Sequence, residues 1–193
     1  MSKLAEVLFR EYDTAHSNQE SLDLVKQALK IDAKDPEMYL LLGKIMDRKS
    51  QWQEAIDAFG ASIKCQSEIS KGQPPKANMF FVIGGVQEKA KDYKKAILNY
   101  KKCLTLDNQH FGACIHLANL LANVGEGQRA AKYFKHAIKV ASDDSVIGKE
   151  AIVNAYFGLG KTLQQYSDNK DAPIAPLTKV VTELDPTHYK AFT

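Results

Sequence analysis

A pattern of residue types recurs at long intervals along this chain and limits the folds it can adopt. In the first half of the pattern, an apolar residue is followed three positions later by an aliphatic residue and then by a small one. In the second half of the pattern, an alanine precedes an aromatic residue by four positions. Copies of the first half begin at Tyr39, Phe80, Cys114 and Tyr156, and copies of the second are Ala55 with Phe59, Ala96 with Tyr100 and Ala130 with Phe134. Such recurrence is typical of proteins built from stacked repeats.

The spacing of the copies gives the length of one unit. With a weaker copy at the start of the chain, the units begin near residues 2, 36, 77, 111 and 153, at spacings of 34, 41, 34 and 42. The surplus in the second interval, SKGQPPK (70–76), has glycine and proline residues that predict a loop. The surplus in the fourth, SVIGKEAI (145–152), is predicted to lengthen a neighbouring helix. Apolar residues recur every three to four positions within each unit, which indicates amphipathic helices.

This pattern resembles the tetratricopeptide repeat, a helix–turn–helix unit of 34 residues, and the resemblance covers essentially the whole chain. It implies an all-α fold in which tandem helix–turn–helix repeats stack into a right-handed superhelix, an α-solenoid. We expect one domain over 1–193. Its five repeats are predicted at 2–35, 36–69, 77–110, 111–144 and 153–188, with the start of a sixth at 189–193. Because the sixth repeat is incomplete, we expect the sequence to be a fragment of a longer protein.

Two details of the pattern concern packing within a repeat. Glycine costs about 1 kcal/mol relative to alanine inside a helix, so a recurrent small residue there predicts close approach of the paired helix. Such residues stand near the middle of the first helices, at Gly43, Gly84, Ala118 and Gly160. In the last repeat, Pro173 and Pro176 are tolerated only in a first helical turn. We therefore predict that its second helix begins at 173–175 and runs to Leu184.

Composition excludes several classes of function. The net charge of +3, without a run of basic residues, argues against a nucleic-acid partner. No apolar run approaches the roughly 18 residues of a membrane span, so no membrane insertion is expected. The charged N-terminal stretch MSKLAEVLFREY (1–12) is not a signal peptide, which predicts a cytoplasmic location. Cys65, Cys103 and Cys114 lack metal-ligand spacing and are expected to be buried, reduced thiols, with no metal or cofactor.

The stretch AYFGLGKT (155–162) matches a relaxed phosphate-loop pattern, which leaves a nucleotide-binding enzyme as a remote alternative. A phosphate loop follows a strand and wraps phosphate with free backbone amides, which requires small residues. Here the loop positions include Tyr156 and Phe157, and helical periodicity continues through the match. Leu159 and Gly160 instead occupy the aliphatic-small position of the fifth repeat. We therefore expect no enzymatic activity.

The family resemblance implies that ligands lie in a concave groove lined by the first helices. The groove residues should lie on the exposed side of each first helix. In this chain those positions are Leu40, Leu41, Lys44, Arg48, Asn78, Phe81, Val82, Lys89, Ile115, His116, Asn119, Asn123, Asn154, Phe157 and Lys161. An apolar strip flanked by asparagine amides suits an extended peptide or an amphipathic helix. The alternative is that the strip packs against another element of the same protein.

The resemblance also bears on the kind of partner. Some family members hold a chaperone's C-terminal carboxylate in a clamp of lysine, arginine and asparagine residues spread over three repeats. No three consecutive repeats here carry those charges, so a chaperone tail is not expected as a partner. The expected function is a protein–protein interaction scaffold that binds a peptide or helical segment. The competing interpretation is self-association or assembly into a larger complex through the convex face or the array ends.

Overall fold

The computed structural model describes residues 15–70, 73–143 and 146–179, which form helices joined by turns, with no strand among them. The predicted all-α class is therefore confirmed. In chain order the helices are α1 (Ala15–Ile31), α2 (Pro36–Arg48), α3 (Trp52–Ile69), α4 (Ala77–Lys89), α5 (Tyr93–Leu106), α6 (Phe111–Asn123), α7 (Gly127–Asp143), α8 (Lys149–Tyr166) and α9 (Ile174–Lys179).

Helix starts follow the repeat pattern closely. Helices α2, α4 and α6 begin where the second, third and fourth repeats were predicted to begin. Helix α8 begins at Lys149 rather than Val153, so part of the surplus segment 145–152 lengthens this helix. Helix α9 begins at Ile174, inside the predicted range. The first helix of the first repeat, the predicted end at Leu184 and the predicted sixth repeat lie outside the described residues.

Side-chain caps fix two of these starts. The Asp35 carboxylate accepts hydrogen bonds from the backbone amides of Glu37 (2.9 Å) and Met38 (3.2 Å), and proline follows it at the first helical position. Such a cap satisfies amides that have no partner within the helix. At the start of α6, His110 Nδ1 accepts from the Ala113 amide at 3.1 Å. Since a backbone amide can only donate, this ring nitrogen is unprotonated there.

The turns inside the second, third and fourth repeats share one backbone geometry. Ser50, Lys91 and Gly125 follow the first helices with φ of +58°, +62° and +85°. The next amide then bonds back to the last helical turn, as from Gln51 to the Met46 carbonyl at 2.9 Å, with equivalent bonds of 2.9 and 2.8 Å in the other two turns. This is the Schellman arrangement, which satisfies the last carbonyls of a helix and normally uses glycine at the left-handed position.

The chain divides into two compact units, residues 1–96 and 97–193, with the boundary inside α5. In the first unit, α2 packs against α1 and α3, and α3 packs against α4. Val25, Ile45, Phe59 and Val86 are at most 2% exposed and form the centre of its core. The buried Ser62 hydroxyl donates to the Pro36 carbonyl at 2.7 Å, which ties α3 to the start of α2.

In the second unit, α7 packs against both α6 and α8, and α9 packs against α8. Ala118 on α6, Phe134 on α7 and Leu159 on α8 are buried together. The Tyr166 hydroxyl donates to the Ala122 carbonyl at 3.0 Å, which joins the end of α8 to the end of α6. Each helix therefore buries its apolar stripe against neighbouring helices, as stacked repeats require.

Two glycines lie where the paired helix comes closest. A Cβ added to Gly43 would lie 2.5 Å from Cε1 of Phe59 on α3. A Cβ added to Gly160 would overlap Leu177 on α9. In both cases the close neighbour belongs to the second helix of the same repeat. The close approach predicted at these two positions is therefore present.

We expect Gly43→Ala to destabilise the protein by about 1–3 kcal/mol, because the new methyl group forces the buried Phe59 ring to move. Gly60→Ala is the matched control. Gly60 lies within α3, is exposed, and an added Cβ there meets nothing within 4 Å. Alanine should stabilise that position by up to about 1 kcal/mol through helix propensity. Urea denaturation of the two variants measures both shifts, and changes of the same sign would contradict the packing argument.

The turn geometry gives a second pair of opposite effects. The left-handed conformation costs a residue with a Cβ about 1 kcal/mol relative to glycine. Lys91→Gly should therefore raise the free energy of unfolding by about 1 kcal/mol, and Gly125→Ala should lower it by a similar amount. Thermal or urea unfolding of both variants tests this. Destabilisation by Lys91→Gly would show that the left-handed backbone at this turn carries no such cost.

Candidate peptide-binding faces

In the first unit, the predicted groove residues lie on α2 and α4, the first helices of two successive repeats. Leu40, Phe81 and Val82 are half-buried, whereas Lys44 and Asn78 are exposed. Leu40 and Val82 also pack against the core of this unit. The outer side of these helices thus carries partly exposed apolar groups beside polar ones.

Leu41 is a correction to the predicted groove. It is only 5% exposed and belongs to the core with Met38 and Ile45. These three residues stand three and four positions apart and form the buried stripe of α2. Leu41 is therefore not accessible to a partner. Its spacing to Ile45 is the signal in the sequence that could have separated it from Leu40.

Lys89 is held in an ion pair within the first unit. Its Nζ lies 2.9 and 2.6 Å from the two carboxylate oxygens of Asp47, so the pair joins the ends of α2 and α4. The side chains are 56% and 24% exposed, and such surface pairs contribute only about 0–1 kcal/mol. The positive charge of Lys89 is therefore neutralised at this surface. Arg48, the remaining predicted groove residue here, is exposed at the end of α2.

In the second unit, the predicted residues lie on α6 and α8, which contact each other. Ile115 and Phe157 are half-buried, and Ile115 packs against the core. The predicted polar residues on these helices, Asn119, Asn123, Asn154 and Lys161, are all exposed. This face combines apolar groups with amides that both donate and accept hydrogen bonds.

His116, another predicted groove residue, packs against the preceding helix α5. Its ring lies 5.5 Å from the ring of Tyr100 on α5, between centroids, with the Tyr100 hydroxyl 3.4 Å from Nδ1. Tyr100 is fully buried, and His116 is half-buried. The imidazole therefore gives a buried hydroxyl a polar neighbour, and this packing is a structural role in its own right.

The stretch that matched a phosphate loop lies entirely inside α8. Thr162 is 4% exposed, and its hydroxyl donates to the Gly158 carbonyl one turn earlier at 2.7 Å. Backbone amides in the middle of a helix are already bonded to the preceding turn. They cannot wrap a phosphate, so the nucleotide-binding alternative loses its structural basis.

Other predicted features concern thiols, metals and membranes. Cys65, Cys103 and Cys114 are buried and form no disulfide bond, as expected, and burial raises the pKa of the Cys114 thiol to about 12. Within residues 15–70, 73–143 and 146–179, no three or more His, Cys, Asp or Glu side chains gather as a metal site. Over the same part of the chain, no helix combines the length and apolar character needed to cross a bilayer.

Sequence reasoning missed one feature of the second unit. A cleft of about 500 Å³ lies between the second helices α5 and α7, lined in part by Lys101, Arg129 and His136. The signal in the sequence is the run of cationic residues at helical spacing in α7, whose first members are Arg129, Lys132 and His136. The even distribution of charge along the whole chain concealed it.

Comparisons with known proteins place the chain among repeat proteins. Two family models, each described as tetratricopeptide repeat, match residues 77–110 and 113–146. A probable biofilm formation methyltransferase of Pseudomonas putida, WspC, is 31% identical over 83 residues. That match covers 43% of this chain and only 19% of the methyltransferase.

Solved structures give the same architecture over nearly the full length. YrrB, described as a TPR protein with an unusual peptide-binding site, aligns with a TM-score of 0.73 and 21% identity, covering 97% of this chain and 86% of YrrB. MamA from residue 41 to the end, from Desulfovibrio magneticus RS-1, aligns with a TM-score of 0.73 and 18% identity, covering 96% of both chains.

A third structure is the C-terminal part of a TPR repeat-containing protein from Cytophaga hutchinsonii. It aligns with a TM-score of 0.77 and 18% identity, covering 99% of this chain and 70% of that one. At these identities the likeness concerns the fold, and the fold agrees with the repeat models and with the helix–turn–helix geometry described above. The chain is a tetratricopeptide-repeat protein with the architecture of a protein–protein interaction scaffold.

Proposed function

We propose that this chain is a non-catalytic scaffold that binds an extended segment of a partner protein on its first-helix faces. The observation that carries the proposal is the set of exposed amides on α6 and α8, namely Asn119, Asn123 and Asn154, beside the half-buried Ile115 and Phe157. Ile115 also packs against the core of this unit, and the exposed parts of these two side chains are apolar area beside the amides. A peptide gains from both kinds of group.

The two kinds of group have separate roles in the proposed complex. An extended peptide offers one backbone donor and one acceptor per residue, and an asparagine amide can pair with both. The half-buried Phe157 ring supplies apolar area, which provides most of the affinity in protein recognition. The amides thus fix the position of the peptide backbone, and the apolar groups stabilise the bound state.

Two further points support a peptide over other ligands. YrrB, which shares this fold, is described as having an unusual peptide-binding site. In the first unit, the exposed Asn78 and the half-buried Phe81 repeat the combination of an amide and an aromatic ring on α4. The Asp47–Lys89 pair neutralises one cation beside that face, and we propose that the ligand is recognised mainly through its backbone and apolar side chains.

The proposal predicts that Asn119→Ala combined with Asn154→Ala weakens peptide binding by roughly five- to one-hundredfold, since each lost hydrogen bond is worth about 0.5–1.5 kcal/mol. The peptides would come from a random displayed library selected on the wild-type protein. Fluorescence anisotropy measures their affinity, and circular dichroism checks that the variant remains folded.

Gln128→Ala is the matched control for this experiment. Gln128 is an exposed amide near the start of the second helix α7 and is not one of the predicted groove residues. Its removal should leave affinity unchanged within about twofold. Equal effects of the control and the double variant, or a library that yields no binder, would contradict the proposal. Light scattering tests the assembly alternative, because a peptide-binding scaffold remains monomeric as its concentration rises.

A further inference from the structure

The exposed side of α7 carries charge of one sign. From its first residue to Ser142 the helix contains no acidic residue, and its cationic and histidine positions are Arg129, Lys132, Lys135, His136 and Lys139. Arg129, Lys132, His136 and Lys139 follow one another at intervals of three, four and three residues. This spacing puts them on one stripe along the helix. The three lysines and Arg129 are exposed.

A concave feature lies beside this stripe. The cleft between α5 and α7 has a volume of about 500 Å³, and Lys101 contributes a further cation from the α5 side. Of the described residues that line the cleft, none is a carboxylate. Glu126 pairs with Arg129 one turn away, at the N-terminal end of α7. That pair neutralises Arg129, and the lysines of the stripe together with Lys101 and the cleft form a basic surface within the second unit.

The interior of the cleft is built from fixed polar groups. His136 Nε2 lies 2.6 Å from the Asn108 carbonyl, which can only accept, so Nε2 carries a proton and donates it. This bond joins α7 to the loop that follows α5 and holds the imidazole against the cleft wall. Thr105 and Tyr133 add hydroxyl groups to the lining. The cleft thus supplies hydrogen-bond donors next to cations, as recognition of an anionic group requires.

We propose that this basic surface, Lys101 with the α7 stripe, binds an extended acidic segment of a protein. The dimensions fit such a segment. From Arg129 to Lys139 the stripe extends about 15 Å at 1.5 Å per residue, which an extended chain covers with about five residues. Aspartate or glutamate side chains on those residues reach the cations, and the central one enters the cleft.

Two other polyanions fit the surface less well. Sites for single-stranded nucleic acid combine cations with aromatic rings on which bases stack, whereas Tyr133 in the cleft is half-buried. Helices that bind membrane surfaces carry exposed apolar side chains beside their cations. The exposed side chains of α7, within its described part, are polar or charged. A flat bilayer also cannot enter a cleft between helices.

The test uses a fluorescein-labelled peptide of about five glutamates, a glutamine peptide of equal length, a single-stranded oligonucleotide and phosphatidylserine-containing vesicles. Binding is measured by anisotropy, and by flotation for vesicles, at low and at moderate ionic strength. The glutamate peptide should bind, lose affinity as salt rises, and bind more tightly than the other three probes. Tighter binding of the oligonucleotide or of the vesicles would overturn the assignment to a protein segment.

Matched variants separate this site from the general charge of the protein. Replacing Lys101, Lys132 and Lys139 with glutamine should weaken glutamate-peptide binding by roughly five- to fiftyfold. Replacing Lys26, Lys30 and Lys64 with glutamine, all exposed on helices of the first unit, removes the same charge and should change affinity less than about twofold. Circular dichroism checks both folds. If the triple variant is unstable, a double variant with Lys132→Gln and Lys139→Gln, both at exposed positions, serves for the same test.

Equal losses of affinity in the two triple variants would show that only the net charge of the protein matters, and would overturn the proposal. So would an absence of glutamate-peptide binding to the wild-type protein at millimolar peptide. Asn119→Ala with Asn154→Ala should leave glutamate-peptide binding unchanged, because those amides lie on the first helices. This result distinguishes failure of the basic surface from failure of the first-helix faces.

Discussion

Each helix in the described part of this protein depends on its neighbours to bury a narrow apolar stripe. A helix of 13 residues such as α2 is marginal by itself in water, yet Ile45 at its centre is fully buried by the helices around it. In the second unit, Phe134 on α7 is likewise buried, and α6 and α8 cover it. Because helical phase determines which residues must be buried, it also determines which residues remain available for partners.

The same dependence explains how much of the fold could be predicted. Helix starts at Pro36, Ala77 and Phe111 were visible because periodicity and loop residues agree at those points. The left-handed backbone at Ser50 and Lys91 was not visible, since neither residue prefers it. Closure of the Schellman bonds and packing of the next helix impose that conformation, and both come from tertiary structure rather than from the residue itself.

Prediction of the binding faces had a physical limit of a different kind. Leu40 and Leu41 are adjacent leucines about 100° apart around one helix, so composition alone could not separate them, and only the spacing of Leu41 to Ile45 does. The Asp47–Lys89 pair joins residues of two repeats, and its formation depends on side-chain conformations that no periodicity encodes. The exposed asparagines of α6 and α8 were predicted because a polar residue on the outer phase of a helix has no competing structural role.

The two helix layers of the second unit present different chemistry to solvent. The first helices α6 and α8 expose neutral amides, which act over hydrogen-bond distances and respond little to salt. The second helix α7 exposes cations, whose attraction extends over about 10 Å at moderate ionic strength and weakens as salt rises. Since α7 packs on both first helices, its exposed side faces away from theirs. Taken together, the two proposals predict that this unit binds a peptide backbone on one layer and an acidic segment on the other, with ionic strength affecting the second more strongly.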